Sequence, residues 1–150
     1  MINENKFWKL IATTLTNSSL ENIIEYDSFL INHLKKEEVQ TIVGFHLRLL
    51  ELRKALDNFE VIKVAMDLGY YTSREVFNRF CNGIIASGKN IYTQAKNQNG
   101  MLIAMLANNP ERLRTYYYEG FSLIASASFY EKVGLDKDWD MVLCSYKEMR

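Results

Sequence analysis

The sequence is poor in the residues that mark several whole classes of protein. It has one proline, two cysteines and no apolar run of membrane-spanning length. A single proline beside 48% hydrophobic and 13% aromatic residues excludes the polar, Pro-rich composition of disordered chains. Cys81 and Cys144 are too few for a disulfide framework and have no metal-ligand spacing. Both are expected as reduced, partly buried thiols, which points to a cytoplasmic protein. The longest apolar run, MLIAMLA at 101–107, is far below the roughly 20 residues that cross a bilayer. The opening MINENKFWKL puts Glu4 and Lys6 where a signal peptide needs an apolar core. A soluble chain without a membrane partner is therefore expected.

An excess of either charge is also missing. Lys and Arg number 18, Asp and Glu 18, and each half carries nine basic residues. A basic stripe for a phosphate backbone is absent, so no nucleic-acid partner is expected.

What is present is helical periodicity. Phe7, Trp8, Leu10, Ile11 and Leu15 form one apolar stripe, opened by Asn3 or Asn5. Leu20, Ile23, Ile24, Leu30, Ile31 and Leu34 form a second, with Ser18 or Ser19 as cap and Asp27 as its polar interruption. Val39, Ile42, Val43, His46, Leu49, Leu50 and Leu56 form a third, with Glu37 and Glu38 at its positive end. FEVIKVAMDLG reads as a shorter helix stopped by Gly69. In TSREVFNRFCNGIIASG, Thr72 and Glu75 have capping-box spacing and Gly88 ends the helix. KNIYTQAKNQNG closes at Asn99-Gly100, Asn109-Pro110 opens another helix, and a long one spans about 119–133. DKDWDMVLCSYKEMR supplies the last. Strand patterns, repeats and linkers are missing. The expectation is an all-α single domain over 1–150, with about seven to nine short-to-medium helices.

Catalytic chemistry finds little support. His33 and His46 lie thirteen apart without a partner ligand, and Lys35 and Lys36 would repel a metal beside His33. Cys81, near Phe77 and Phe80, reads as a small buried hydrophobe, and Cys144 is read the same way. SGKN at 87–90 lacks the strand and first glycine of a phosphate loop. Glu37–Glu38 and Asp136, Asp138 and Asp140 read as solvated helix starts. No catalytic residue, metal or cofactor is assigned. Tyrosine is the surplus: Tyr70-Tyr71 sits in an inter-helix turn, and Tyr116-Tyr117-Tyr118 cannot all lie on one buried stripe. Tyr70, Tyr71, Arg74 and Tyr117 are the candidate binding residues.

Several of these elements resemble the bacterial Domain of Unknown Function 4240 family. Its members begin with a short Phe-Trp helix and carry a stretch like GGCSDDGFxxFRxWLIxxGxxxYxxA. Here Phe7-Trp8 and Leu10-Ile11 are similar to the former, and Ser73, Phe77, Phe80, Ile85, Gly88, Tyr92 and Ala95 to the latter. FYEKVG at 129–134 resembles the family's closing helix. The polar set differs: Tyr70-Tyr71 stands for Gly-Gly, Arg74-Glu75 for the acidic pair, Cys81 for Arg and Gly83 for Trp. The resemblance implies a divergent member with an all-helical fold, and it implies no particular activity.

Two functions fit. The first is a non-enzymatic module that binds another protein, on the strength of neutral charge and surplus tyrosine. The second is a small-molecule-binding protein or enzyme with a pocket between helices near residues 67–79, using Asp67, Arg74, Glu75, Arg79 and His46. A concave pocket holding two or more of these favours the second; a flat tyrosine patch favours the first.

Overall fold

A computed structural model describes residues 1–98 and 118–148. Among these, eight α-helices and one short 3₁₀ turn occur, and no strand. The helices are α1 (Glu4–Asn17), α2 (Ile23–Leu34), α3 (Val39–Ala55), α4 (Phe59–Asp67), α5 (Arg74–Ala86), α6 (Lys89–Lys96), α7 (Ile124–Val133) and α8 (Trp139–Glu148). The 3₁₀ turn, Gly120–Leu123, leads directly into α7. The all-α reading therefore holds. The helix start at Asn109-Pro110 and the residues Tyr116 and Tyr117 lie outside the described residues.

Local chemistry accounts for most boundaries. Asn3, Asn22 and Asn58 each accept a backbone amide in their side-chain oxygen and open α1, α2 and α4. At α2 this corrects the expected Ser18 or Ser19 cap, because residues 20–22 form a turn and helix begins only after it. At α5 the cap is Ser73 rather than Thr72: Ser73 Oγ accepts from the Val76 amide at 3.2 Å. One step of register takes Glu75 out of the capping-box position, and its carboxylate binds Arg79 instead. α6 ends at Lys96, short of Asn99, with Gln98 in the left-handed region at φ 53°. Gly44 has a packing role: a β-carbon there would lie 2.7 Å from the Ile2 amide nitrogen and from its side chain. This bare spot lets the N-terminus lie on α3, where Arg48 donates to the Ile2 carbonyl oxygen from Nη2 at 2.9 Å.

The core is aromatic and continuous. Phe7 stacks on Phe45 with ring centroids 4.7 Å apart, and Trp8 meets Tyr92 at 5.0 Å. Tyr26 crosses from α2 to donate to the Ala86 carbonyl oxygen at 2.9 Å. Trp8, Phe77 and Phe80 are buried, as their helix phases require. Burying an aromatic ring contributes about 1.5–3 kcal/mol, so this cluster outweighs any single surface ion pair. α7 lies across α2 and α3, while α5 packs on α3, α6 and the 3₁₀ turn. Cys81 is buried as expected, but Cys144 is exposed, because the apolar face of α8 is set by Trp139 and Leu143.

Candidate functional site

The end of α3, the start of α5 and the 3₁₀ turn enclose a polar cleft. α3 closes with Arg53 and Lys54, cations that suit the negative end of a helix. On α5, Glu75, Asn78, Arg79 and Asn82 recur at helical spacing and share one face. Ser122 and Leu123 come from the 3₁₀ turn, with Glu119 just before it. The hollow bounded by Arg53, Glu75, Asn78, Arg79, Glu119, Ser122 and Leu123 measures about 290 Å³. A smaller one of about 190 Å³ adjoins it, sharing Arg53 and Asn78 and reaching Asp57, Arg74 and Phe77.

The floor of the cleft is a hydrogen-bonded seam. Asn82 is fully buried, and its Nδ2 donates to Ser122 Oγ at 2.8 Å and to the Tyr118 carbonyl oxygen at 3.2 Å. The Tyr118 amide donates to the Arg79 carbonyl oxygen at 3.0 Å. Arg79 Nη2 lies 2.6 Å from Glu75 Oε1 and 2.9 Å from Glu119 Oε1, so one guanidinium clamps two carboxylates. Arg53 is treated differently. Its Nη1 reaches Ser122 Oγ at 3.4 Å, and no carboxylate among the described residues lies within ion-pair distance. Burial lowers its pKa, since a half-desolvated guanidinium loses solvation as a cation. Asp57, one helical turn on, is held by Arg74 at 2.8 Å.

The sequence-expected residues distribute unevenly. Glu75 and Arg79 meet in the cleft, and Arg74 lines the adjoining hollow. Asp67 is exposed at the end of α4, outside both. His46 points elsewhere: its ring sits edge-on to Trp139 at 5.7 Å, and burial first, then Arg53 and Lys147, lower its pKa to about 4. Tyr70 is half-buried and stacks on Phe80 at 5.6 Å. Tyr71 is exposed and edge-on to Phe77 at 5.1 Å, while the Arg74 guanidinium lies 5.6 Å from the same ring centroid. Tyr71 and Arg74 are thus gathered around Phe77. Tyr117 lies outside the described residues.

Sequence reasoning missed Arg53, Asn82 and Ser122. Asn82 had a signal, being a polar residue inside the apolar run of RFCNGII. Arg53 read as an ordinary helix-end cation, and Ser122 had no signal at all. A separate hollow of about 450 Å³ between α1 and α2 is lined by Lys6, Lys9, His33 and Glu37 among others. There Lys6 is neutralised by Glu37 at 2.7 Å, and both are surface side chains.

Among the described residues no three His, Cys, Asp or Glu side chains gather to hold a metal ion, and no helix is long and apolar enough to cross a membrane. Burial pushes the Cys81 thiol up to about 12, which leaves it protonated and a poor nucleophile.

The family model described as Protein of unknown function (DUF4240) matches residues 2–132. The chain belongs to the DUF4240 family. No curated protein and no solved structure matches it. The DUF4240 match takes in α1 to α6, the 3₁₀ turn and nearly all of α7, and hence every residue of the polar cleft. α8 follows the matched range.

Proposed function

We propose that this DUF4240 protein is a non-enzymatic binding protein that takes a small polar molecule into the cleft between α3, α5 and the 3₁₀ turn. The observation that carries the reading is convergence. Glu75 and Arg79, two of the polar groups foreseen for a pocket, line one concave site of about 290 Å³ with Arg53, Asn78 and Ser122. Pockets with a few convergent polar groups are the usual seats of ligands. The chemistry at hand is recognition: charged anchors and hydrogen-bond donors, with the nearest thiol, Cys81, buried and protonated. Both cysteines are free, which fits a reducing, cytoplasmic setting. Balanced charge argues against a nucleic-acid partner.

The reading is tested by thermal shift against a metabolite panel of all charge types, followed by calorimetry. Asn78→Trp, which would fill the cleft from α5, is expected to abolish any binding found. If no class of molecule raises the melting temperature, or if hits bind Asn78→Trp normally, the reading fails.

A second reading has its own support. Phe59 and Met66, seven residues apart on α4, are 77% and 61% exposed, and Tyr71 beyond them is 38% exposed. These exposed side chains fit a site for another protein, since aromatic and Met side chains favour interfaces. A partner retained by the native chain and lost by Phe59→Asp would establish it.

A further inference from the structure

The charges in the cleft are unevenly shared. Arg79 is held by two carboxylates, Glu75 and Glu119, so that group of three carries one negative charge in excess. Arg53 is held by none among the described residues, and its donors have only Ser122 Oγ at 3.4 Å. Among the described residues, Asp57 and Arg74 beside the cleft pair at 2.8 Å, and Lys54 is exposed. The result is a small hollow whose charged lining is neutral in sum. Its cationic pole is Arg53, from the end of α3; its anionic pole is Glu75 and Glu119 around Arg79, from the start of α5 and the residue before the 3₁₀ turn.

We propose that the cleft binds a small zwitterion of the amino-acid class, its carboxylate on Arg53 and its ammonium on the carboxylate oxygens of Glu75 and Glu119 that Arg79 leaves unused. This deepens the ligand-binding reading above and rests on it. A planar guanidinium presents paired donors that match the two oxygens of a carboxylate. A half-buried guanidinium without a counter-ion is costly, and a ligand carboxylate removes that cost. At the other pole, two glutamates sharing one arginine leave lone pairs free to accept an ammonium's protons. Ser122 Oγ and the Asn78 amide also line the hollow and offer polar contacts to the rest of the ligand. A volume of about 290 Å³ lies near the low end of ligand pockets and suits a single amino acid rather than a peptide or nucleotide.

The test uses the full chain and a panel of free L-amino acids and ω-amino acids at millimolar concentration. Each is compared with its amide, which lacks the carboxylate, and its N-acetyl form, which lacks the ammonium. At least one zwitterion is expected to raise the melting temperature, and both derivatives are expected to bind about tenfold to a hundredfold more weakly. Arg53→Gln is expected to remove the preference for the free carboxylate without unfolding the chain. Should it fail to fold, Arg53→Lys serves, keeping the charge while weakening binding through loss of the fork. Glu75→Gln with Glu119→Gln is expected to remove the preference for the free ammonium. A hit that binds equally well as its amide, or is indifferent to Arg53→Gln, overturns the inference. So does silence from every amino acid. If another class of molecule then binds in a manner blocked by Asn78→Trp, the zwitterion inference falls and the ligand-binding reading stands.

Discussion

Asn82 donates its side-chain amide to Ser122 Oγ at 2.8 Å, tying the middle of α5 to the 3₁₀ turn that precedes α7. The same amide satisfies the Tyr118 carbonyl oxygen. Removing it leaves a buried acceptor unpaired, which costs about 1–3 kcal/mol. Asn82→Ala is therefore expected to lower the unfolding free energy measured in urea by that much, and Ser122→Ala by less. The double variant is expected to lose less than the sum, since both changes break one shared bond. Strict additivity would mean that the seam does not hold these elements together.

Ser73 and Thr72 offer a cleaner contrast, because they are neighbours of similar chemistry. Ser73 caps α5 through the Val76 amide. Ser73→Ala is expected to cost about 1 kcal/mol, and Thr72→Ala to stay within about 0.5 kcal/mol. Equal losses in equilibrium denaturation would return the cap to Thr72.

Asp27 and His46 make opposite contributions to the pH dependence of stability. Burial raises the Asp27 carboxyl from 3.8 to about 6. The folded chain then holds a proton that the unfolded chain has released, so this contribution is full below pH 3.8 and is lost as pH rises through 6. His46 is lowered from 6.5 to about 4, so its contribution is full above pH 6.5 and is lost as pH falls through 4. Asp27→Asn is expected to stabilise the chain at pH 8 by about 1 kcal/mol, after allowance for its partial exposure, and to give no gain at pH 3.5. His46→Gln is expected to remove stability loss between pH 6.5 and 4. Melting temperatures across this range, with wild type and both variants, decide the signs.

The two thiols differ in access. Cys144 is exposed, while Cys81 is buried with its pKa pushed up to about 12. A thiol reagent applied to the native chain is expected to modify one equivalent rapidly and the second only after denaturation. Cys144→Ser is expected to abolish the fast phase. Two fast equivalents would show that α5 opens readily.

The apolar stripes of α1, α2, α3 and α5 were legible in the sequence because a buried helix face repeats at its own period, whatever it packs against. Phe77 and Phe80, three apart, could occupy only the inner face of α5, and they do. Gly69 and Gly88 stopped their helices as expected, both at positive φ. Caps were legible to within a residue. Thr72 and Ser73 are both good caps, and the choice depended on where Phe77 needed to point. Cys144 escaped because its helix is amphipathic by virtue of Trp139 and Leu143, and one small residue carries little information about its face.

What the sequence determined by itself was the all-helical class, the aromatic core and the family, since each rests on local pattern or on motif spacing. The site was decided by tertiary structure. Glu75 and Arg79 are four apart and would pair on any helix. Glu119 and Ser122 reach them from about forty residues away, and only the packing of the 3₁₀ turn on α5 brings them there. The same packing lays Arg53 beside Ser122 while Asp57 turns to Arg74, which leaves one guanidinium half-buried without a carboxylate among the described residues. No local pattern encodes that imbalance, because it is set by which charges the folded helices place within reach of one another.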